Sequence, residues 1–301
     1  MCLLSAVMLW AQEGPVFRSD TSLVVLHLSV VDRDGKLVTD LPQSAFQVFE
    51  DGIEQQVKTF RREDVPVSLG LVIDNSGSMR DKRQKVETAA LQLVKASNKQ
   101  DQVFIVNFND EAFLDTPFTN DIKKLEEGLA RIDTRGGTAM RDAISMSVDY
   151  VKEAAKLDKK VILVVTDGND NTSSLSLEQL VRKAQQSEIL VYAIGLLDEE
   201  ERREAKRAQR ALQALTTASG GLAYYPKEVG EVEQLALRVA HEIRNQYTIA
   251  YSPVNQIMDG GFRQIRVAVK GRNRPVARTR TGYYARTAPA RTPAASGSSG
   301  Q

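Results

Sequence analysis

Between residues 66 and 246 the chain alternates short, unbroken apolar runs with stretches whose apolar residues recur every three or four positions. Few folds accept that pattern. Unbroken apolar runs are strands covered on both faces, and helices are what covers them. The alternation therefore predicts an α/β fold with a doubly wound, mostly parallel sheet. The strand-like runs are residues 69–73, 102–108, 161–165 and 189–194, with a short one at 222–225. Helical stripes follow them: Val86, Ala89, Ala90 and Leu93; Ile122, Leu125, Leu129 and Ile132; Ala143, Ile144, Val148 and Val151; Leu177, Leu180, Val181 and Ala184; Val232, Leu235, Val239 and Ile243. Residues 112–118 read as an antiparallel edge strand, a place where Pro117 is tolerated. Residues 198–219 read as a solvated helix with an acidic start at Asp198–Glu201, broken by Gly220 and Gly221. No Gly-x-Gly-x-x-Gly follows any strand, which counts against a dinucleotide enzyme.

The flanks have a different period. Residues 17–65 alternate at Val24, Leu26, Leu28 and Val30, with tight-turn signals at Asp34-Gly35 and Asp51-Gly52. Phe46 and Val48 before the second turn, with Val57 and Phe60 after it, suggest a hairpin. Residues 247–285 alternate again, at Tyr247, Ile249 and Tyr251 and at Ile265, Val267 and Val269. Neither flank has strands enough for a stable sheet of its own. The two are expected to pair into one small β-sandwich, with the α/β domain of residues 66–246 inserted between them.

The first sixteen residues form a signal-like segment. They are apolar to Ala11 and polar after it, too short to span a bilayer, and shaped like the apolar region of a secretory signal without its basic start. A core-packed or disordered N-terminus is the alternative. Export to a periplasmic or extracellular space is the expectation, with no transmembrane segment. Cys2 is the only cysteine, so no internal disulfide framework exists. Forty basic residues against thirty-nine acidic ones leave no global field to favour nucleic acid or a membrane surface. Residues 286–301, rich in Ala, Ser, Gly and Pro, read as a disordered tail.

Chemistry concentrates where the first apolar run ends. Asp74, Ser76 and Ser78 alternate at a turn that Gly77 makes tight, so three oxygen side chains can converge. Such oxygens are hard ligands, suited to Mg²⁺, Mn²⁺ or Ca²⁺ rather than zinc. Serines at a strand end also cap helices, so the triplet alone leaves both readings open. Two later pieces join it: Thr138 after Gly136-Gly137, and Asp167 at the end of the run at 161–165. Together, Asp74-x-Ser76-x-Ser78, Thr138 and Asp167 resemble the metal-ion-dependent adhesion site of von Willebrand factor type A domains, with all five family positions filled in family order. The flanking β segments likewise resemble bacterial members of that family.

The resemblance implies a Mg²⁺ site, with Mn²⁺ or Ca²⁺ as alternatives. Ser76 and Ser78 would bind the ion directly, Thr138 in the ligand-engaged form, and Asp74 and Asp167 directly or through water. A shell rich in neutral hydroxyls leaves the ion much of its charge, which favours a partner protein presenting Asp or Glu. Asn75 and Met79 flank the ligands and are expected at the exposed rim. Asn109, Asp110, Arg135, Arg141, Asn169, Asp170 and Asn171 lie on loops at the same end and are candidates for partner contact or ordinary loop polarity. The resemblance also implies that the helix at 231–246, which meets Tyr247 with no Gly or Pro between, couples partner binding to the pose of the sandwich. His27 and His241 fall on unrelated elements and offer Ser76 no base, so a non-enzymatic binding or adhesion module is expected. The alternatives are a metal-dependent hydrolase and a metal-stabilised structural scaffold of the cell envelope.

Overall fold

The structure, a computed structural model, describes residues 23–62, 64–130, 134–168, 170–197 and 202–285. The signal-like segment, the tail, the acidic stretch at 198–201 and Ile132 lie outside them. The chain begins with β1 (Val24–Val31), β2 (Phe46–Glu50), β3 (Ile53–Gln55) and β4 (Val57–Arg61). The α/β part follows: β5 (Val67–Asp74), α1 (Arg83–Ala96), β6 (Gln102–Phe108), β7 (Ala112–Thr119), α2 (Ile122–Ala130), α3 (Met140–Ala154), β8 (Lys159–Thr166), α4 (Leu177–Gln185), β9 (Leu190–Gly195), α5 (Arg202–Ser219), β10 (Ala223–Tyr224) and α6 (Val232–Arg244). Four strands close the chain: β11 (Tyr247–Tyr251), β12 (Phe262–Val269), β13 (Val276–Arg278) and β14 (Gly282–Tyr284).

The α/β sheet has the order β10-β9-β8-β5-β6-β7, parallel throughout except for the antiparallel edge strand β7. Every residue of β5 is buried, as a strand covered on both faces must be. One face is covered by α1, α2 and α6, whose Val86, Leu93, Leu125, Leu129, Val239 and Ile243 meet Leu69, Leu71 and Leu163. The other is covered by α3, α4 and α5, where Ile144, Val148, Leu180, Leu212 and Leu215 meet Val72, Val106, Ile162 and Val164. The chain leaves β5 for β6 on one side and later returns to β8 on the other. The order thus reverses between β5 and β8, the point where such sheets place ligands beyond their carboxyl ends.

The flanks form the sandwich. One sheet has the order β13-β1-β11-β4 and the other β14-β12-β2-β3, so each combines strands from both ends of the chain. Leu26, Leu28 and Val30 pack with Phe46, Val48, Tyr247, Ile249 and Ile265 between them, with Phe46 and Tyr247 rings 4.9 Å apart. The expected hairpin is corrected in one respect. Asp51 and Gly52, both at positive φ, turn β2 into β3, but β4 crosses to the opposite sheet and pairs with β11. Val57 and Phe60, three residues apart, both pack on the core because the β4–β11 register shifts between them, and an apolar residue does not say from which sheet it enters.

The two parts are sewn together by buried polar groups. Gln246 donates to Ser29 Oγ at 3.2 Å and to Tyr192 Oη at 3.0 Å, and Tyr192 donates to Glu242 at 3.1 Å. Gly220, at a φ of +93°, ends α5 where a Cβ would stand 2.4 Å from the Arg280 nitrogen.

His27, in the middle of β1, shares a 3.1 Å hydrogen bond with Thr248 Oγ1. Burial, and then the charges of Lys159 and Arg280, push its pKa down from 6.5 to about 3. The folded protein keeps this ring neutral where the unfolded chain protonates it. Its stabilising contribution is therefore complete above pH 6.5 and lost as pH falls toward about 3. The slope from this group is at most about 1.4 kcal/mol per pH unit. His27→Asn should flatten the acid limb of stability, as read from urea unfolding at stepped pH; an unchanged limb would refute the assignment.

Candidate metal centre

Asp74 ends β5 and Asp167 follows β8, so the two carboxylates flank the reversal in strand order. Asp74 is fully buried. Its Oδ1 accepts from the Ser76 backbone N–H at 2.8 Å and its Oδ2 from Thr166 Oγ1 at 2.6 Å. Burial pushes its pKa up to about 6, and those hydrogen bonds offset part of the rise. Ser76 Oγ lies 3.1 Å from Ser78 Oγ, which donates to Asp167 Oδ1 at 2.8 Å. The Ser76, Ser78 and Asp167 oxygens thus form one continuous chain. Lys82 Nζ sits 2.5 Å from the other Asp167 oxygen.

Thr138 arrives on a separate loop. Gly136 has a φ of +74°, and a Cβ there would lie 2.0 Å from Asp110 Oδ2, so the turn before Thr138 demands glycine on both counts. Asp110 Oδ1 accepts from Gly137 N at 2.7 Å, the Asn109 carbonyl from Ala139 N at 2.6 Å, and the Gly136 carbonyl from Gly77 N at 3.2 Å. Asn171 Oδ1 accepts from Thr138 N at 2.8 Å. Thr138 Oγ1 lies 3.8 Å from where a Gly168 Cβ would stand, beside Asp167. The loops carrying Ser76, Thr138 and Asp167 are therefore tied to one another by named hydrogen bonds.

Two carboxylates and three hydroxyls make an all-oxygen donor set. No three His, Cys, Asp or Glu side chains gather as a metal site among the described residues, so hydroxyls are the majority here. That chemistry fits a hard divalent cation. The Lys82 ammonium stands on Asp167 and offsets part of its charge.

The rim differs from expectation. Met79 and Asn75 are buried, not exposed. A short 3₁₀ turn at Gly77–Met79 swings Met79 into the core beside Val86 and Ile73. Asn75 is captured instead: its Nδ2 donates to Asn107 Oδ1 at 2.8 Å and its Oδ1 accepts from Arg83 Nε at 2.8 Å. Arg141 is committed to Asp170 at 2.9 Å, and Asn109 and Asp110 brace the Thr138 loop. Asn169 lies outside the described residues. The sequence reading passed over Lys82, Arg83, Asn107 and Thr166. Thr166 alone carried a signal, as a hydroxyl one residue before Asp167.

A family model for the von Willebrand factor type A domain matches residues 69–238. Integrin alpha-11 of Mus musculus is 31% identical over 104 residues, which cover 33% of this chain and 9% of that protein. An uncharacterized protein of Borreliella burgdorferi is 29% identical over 110 residues, 35% of this chain and 32% of its own. The match therefore spans less than two thirds of either relative. Among solved structures, a von Willebrand factor type A protein from Catenulispora acidiphila superposes with a TM-score of 0.52 at 12% identity, over 89% of this chain and 75% of that one. At such identity the likeness is one of fold.

The Asp167 side chain is only 1% exposed and that of Lys82 23%. Removing the ammonium leaves a buried carboxylate oxygen without its charged partner, at a cost of about 1–3 kcal/mol. Lys82→Met should lower the unfolding free energy in chelator by about that amount. Equal urea midpoints for the two proteins would show that the pair contributes nothing.

Proposed function

This chain belongs to the von Willebrand factor type A domain family, and we propose that it is a non-enzymatic, Mg²⁺-dependent protein-binding or adhesion module of an exported protein, acting in a periplasmic or extracellular space on a partner's Asp or Glu side chain. Family members are typically adhesion or protein-interaction modules. The observation that carries the reading is the linked Ser76–Ser78–Asp167 chain, with Asp74 and Thr138 beside it, at the sheet's reversal point. Ser76, Ser78 and Thr138 would hold the ion together with Asp74 and Asp167; Mn²⁺ and Ca²⁺ suit the same donors. A bound ion would supply an electrophilic position for an incoming carboxylate. The protein's own part is to keep the hydroxyls neutral and pre-placed, so that little of the ion's charge is quenched.

The two histidines support a binding role over hydrolysis. His27 lies in the sandwich, bonded to Thr248. His241 lies near the end of α6, where the neighbouring Ile243 carbonyl meets Lys159 at the start of β8, opposite the metal end. No imidazole stands near Ser76 to activate it.

Calorimetric titration with Mg²⁺ and Mn²⁺ tests the site. Wild type should bind, and Ser76→Ala/Ser78→Ala should lose affinity by more than about tenfold. Retention of an Asp- or Glu-bearing peptide on the wild-type protein should then depend on metal. Unchanged metal affinity in the double variant would overturn the proposal, and ester or phosphate turnover abolished by Asp74→Ala would replace it with a hydrolase.

A further inference from the structure

A cavity of about 350 Å³ lies between the sandwich and the amino ends of β8 and β9, at the pole opposite Asp74 and Asp167. Two buried cationic residues, Lys159 and Arg280, line it. Lys159 is 2% exposed and donates to the Ile243 carbonyl, with no carboxylate in ion-pair range among the described residues. The acids that act on it from further off are committed elsewhere. Asp64 pairs with Arg244 at 2.6 Å, Asp101 accepts from the Val67 and Asn98 backbone N–H groups, and Glu242 accepts from Tyr192 and Tyr224. Burial outweighs them and pushes the Lys159 pKa down to about 8.

Arg280 is 7% exposed. One of its terminal nitrogens donates to the Val25 carbonyl, the other to Glu188, whose side chain is 66% exposed, and its Nε is buried with no partner. Among the described residues, Arg61 and Lys160 also line the cavity, and its acids are Asp158 and Glu188. Both acids are exposed, as is Arg61; among the described residues the four cations outnumber the two carboxylates, and the charged groups that are buried are Lys159 and Arg280. His27 faces the same space, and burial first, then the charges of Lys159 and Arg280, keep it neutral. Buried charges are ordinarily paired, because an unpaired one forfeits its hydration and gains nothing in return.

We propose that this cleft binds a small oxyanion of the phosphate or short dicarboxylate class, held between Lys159 and Lys160 of the α/β domain and Arg61 and Arg280 of the sandwich. The excess of two positive charges matches a dianion. The volume lies at the lower end of ligand pockets, the scale of a small metabolite rather than of a peptide. Because both layers supply cations, the bound anion clamps the sandwich to the α/β domain.

The chain's two histidines make the site readable by NMR of the full-length protein. Inorganic phosphate, and in a second arm succinate, should shift the His27 ring signals saturably while those of His241 stay still, and should raise the His27 pKa toward its ordinary value. The arm with the tighter binding identifies the class. Lys160→Gln, at a partly exposed position, and Arg280→Gln should each weaken binding about tenfold or more, the cost of a lost charged hydrogen bond. A His27 signal unmoved by both anions would overturn the proposal. So would an equal response to sodium chloride at matched ionic strength, or undiminished affinity in both variants.

Discussion

A carboxylate at the end of a strand buried on every side has to be given hydrogen-bond donors by its neighbours, and Asp74 is such a carboxylate. The Ser76 backbone supplies one and the Thr166 hydroxyl the other. Both depend on β5 and β8 running side by side in register, Ile73 opposite Val165. That pairing is possible only because helices cover both faces. Much of the rim follows: with Asp74 held, the turn to Ser78 is fixed, Ser78 reaches Asp167, and the Thr138 loop closes over them through Gly136 and Asn171.

The alternation of buried runs and amphipathic stripes made the doubly wound sheet legible, because a parallel strand must be apolar on both faces and its covering helix on one. The antiparallel edge at β7 was legible too, from Pro117. The five oxygen-bearing residues proposed to hold the ion were legible as types and spacing. The surroundings were not. Asn75 and Met79 occupy the polar turn beside Ser76 and Ser78, and nothing local says that Arg83, at the start of the next helix, will reach back for Asn75 while the 3₁₀ turn folds Met79 inward. Lys82 stands in Arg80-Asp81-Lys82-Arg83, where charge alone does not reveal which residue meets Asp167. Strand β4 leaves the expected hairpin for the opposite sheet, and an inward-facing residue looks the same from either side of a sandwich.

The junction between the two parts is built from polar groups where an apolar seam would have served. Gln246 holds Ser29 on one side and Tyr192 on the other, and Tyr192 and Tyr224 share the two oxygens of Glu242. Directional bonds of this kind set one relative pose, whereas an oily seam would let the sheets slide. Gln246 lies between α6 and β11, so this network joins the end of α6 to the sandwich.

The sandwich draws its strands from both ends of the chain. Strand β1 has β11 and β13 as its neighbours, with Val24 opposite Tyr251. While the polypeptide is being made, β1 to β4 therefore wait with their edges open until most of the remaining chain exists. The inserted α/β domain shortens that wait. Apart from β5 with β8, its own sheet pairs strands that follow one another in the chain, and its folding brings the start of β5 and the end of α6 to the same pole, which removes most of the loop entropy that would oppose closing the sandwich. The order of assembly is then set by topology: the middle of the chain first, and its two ends together, last.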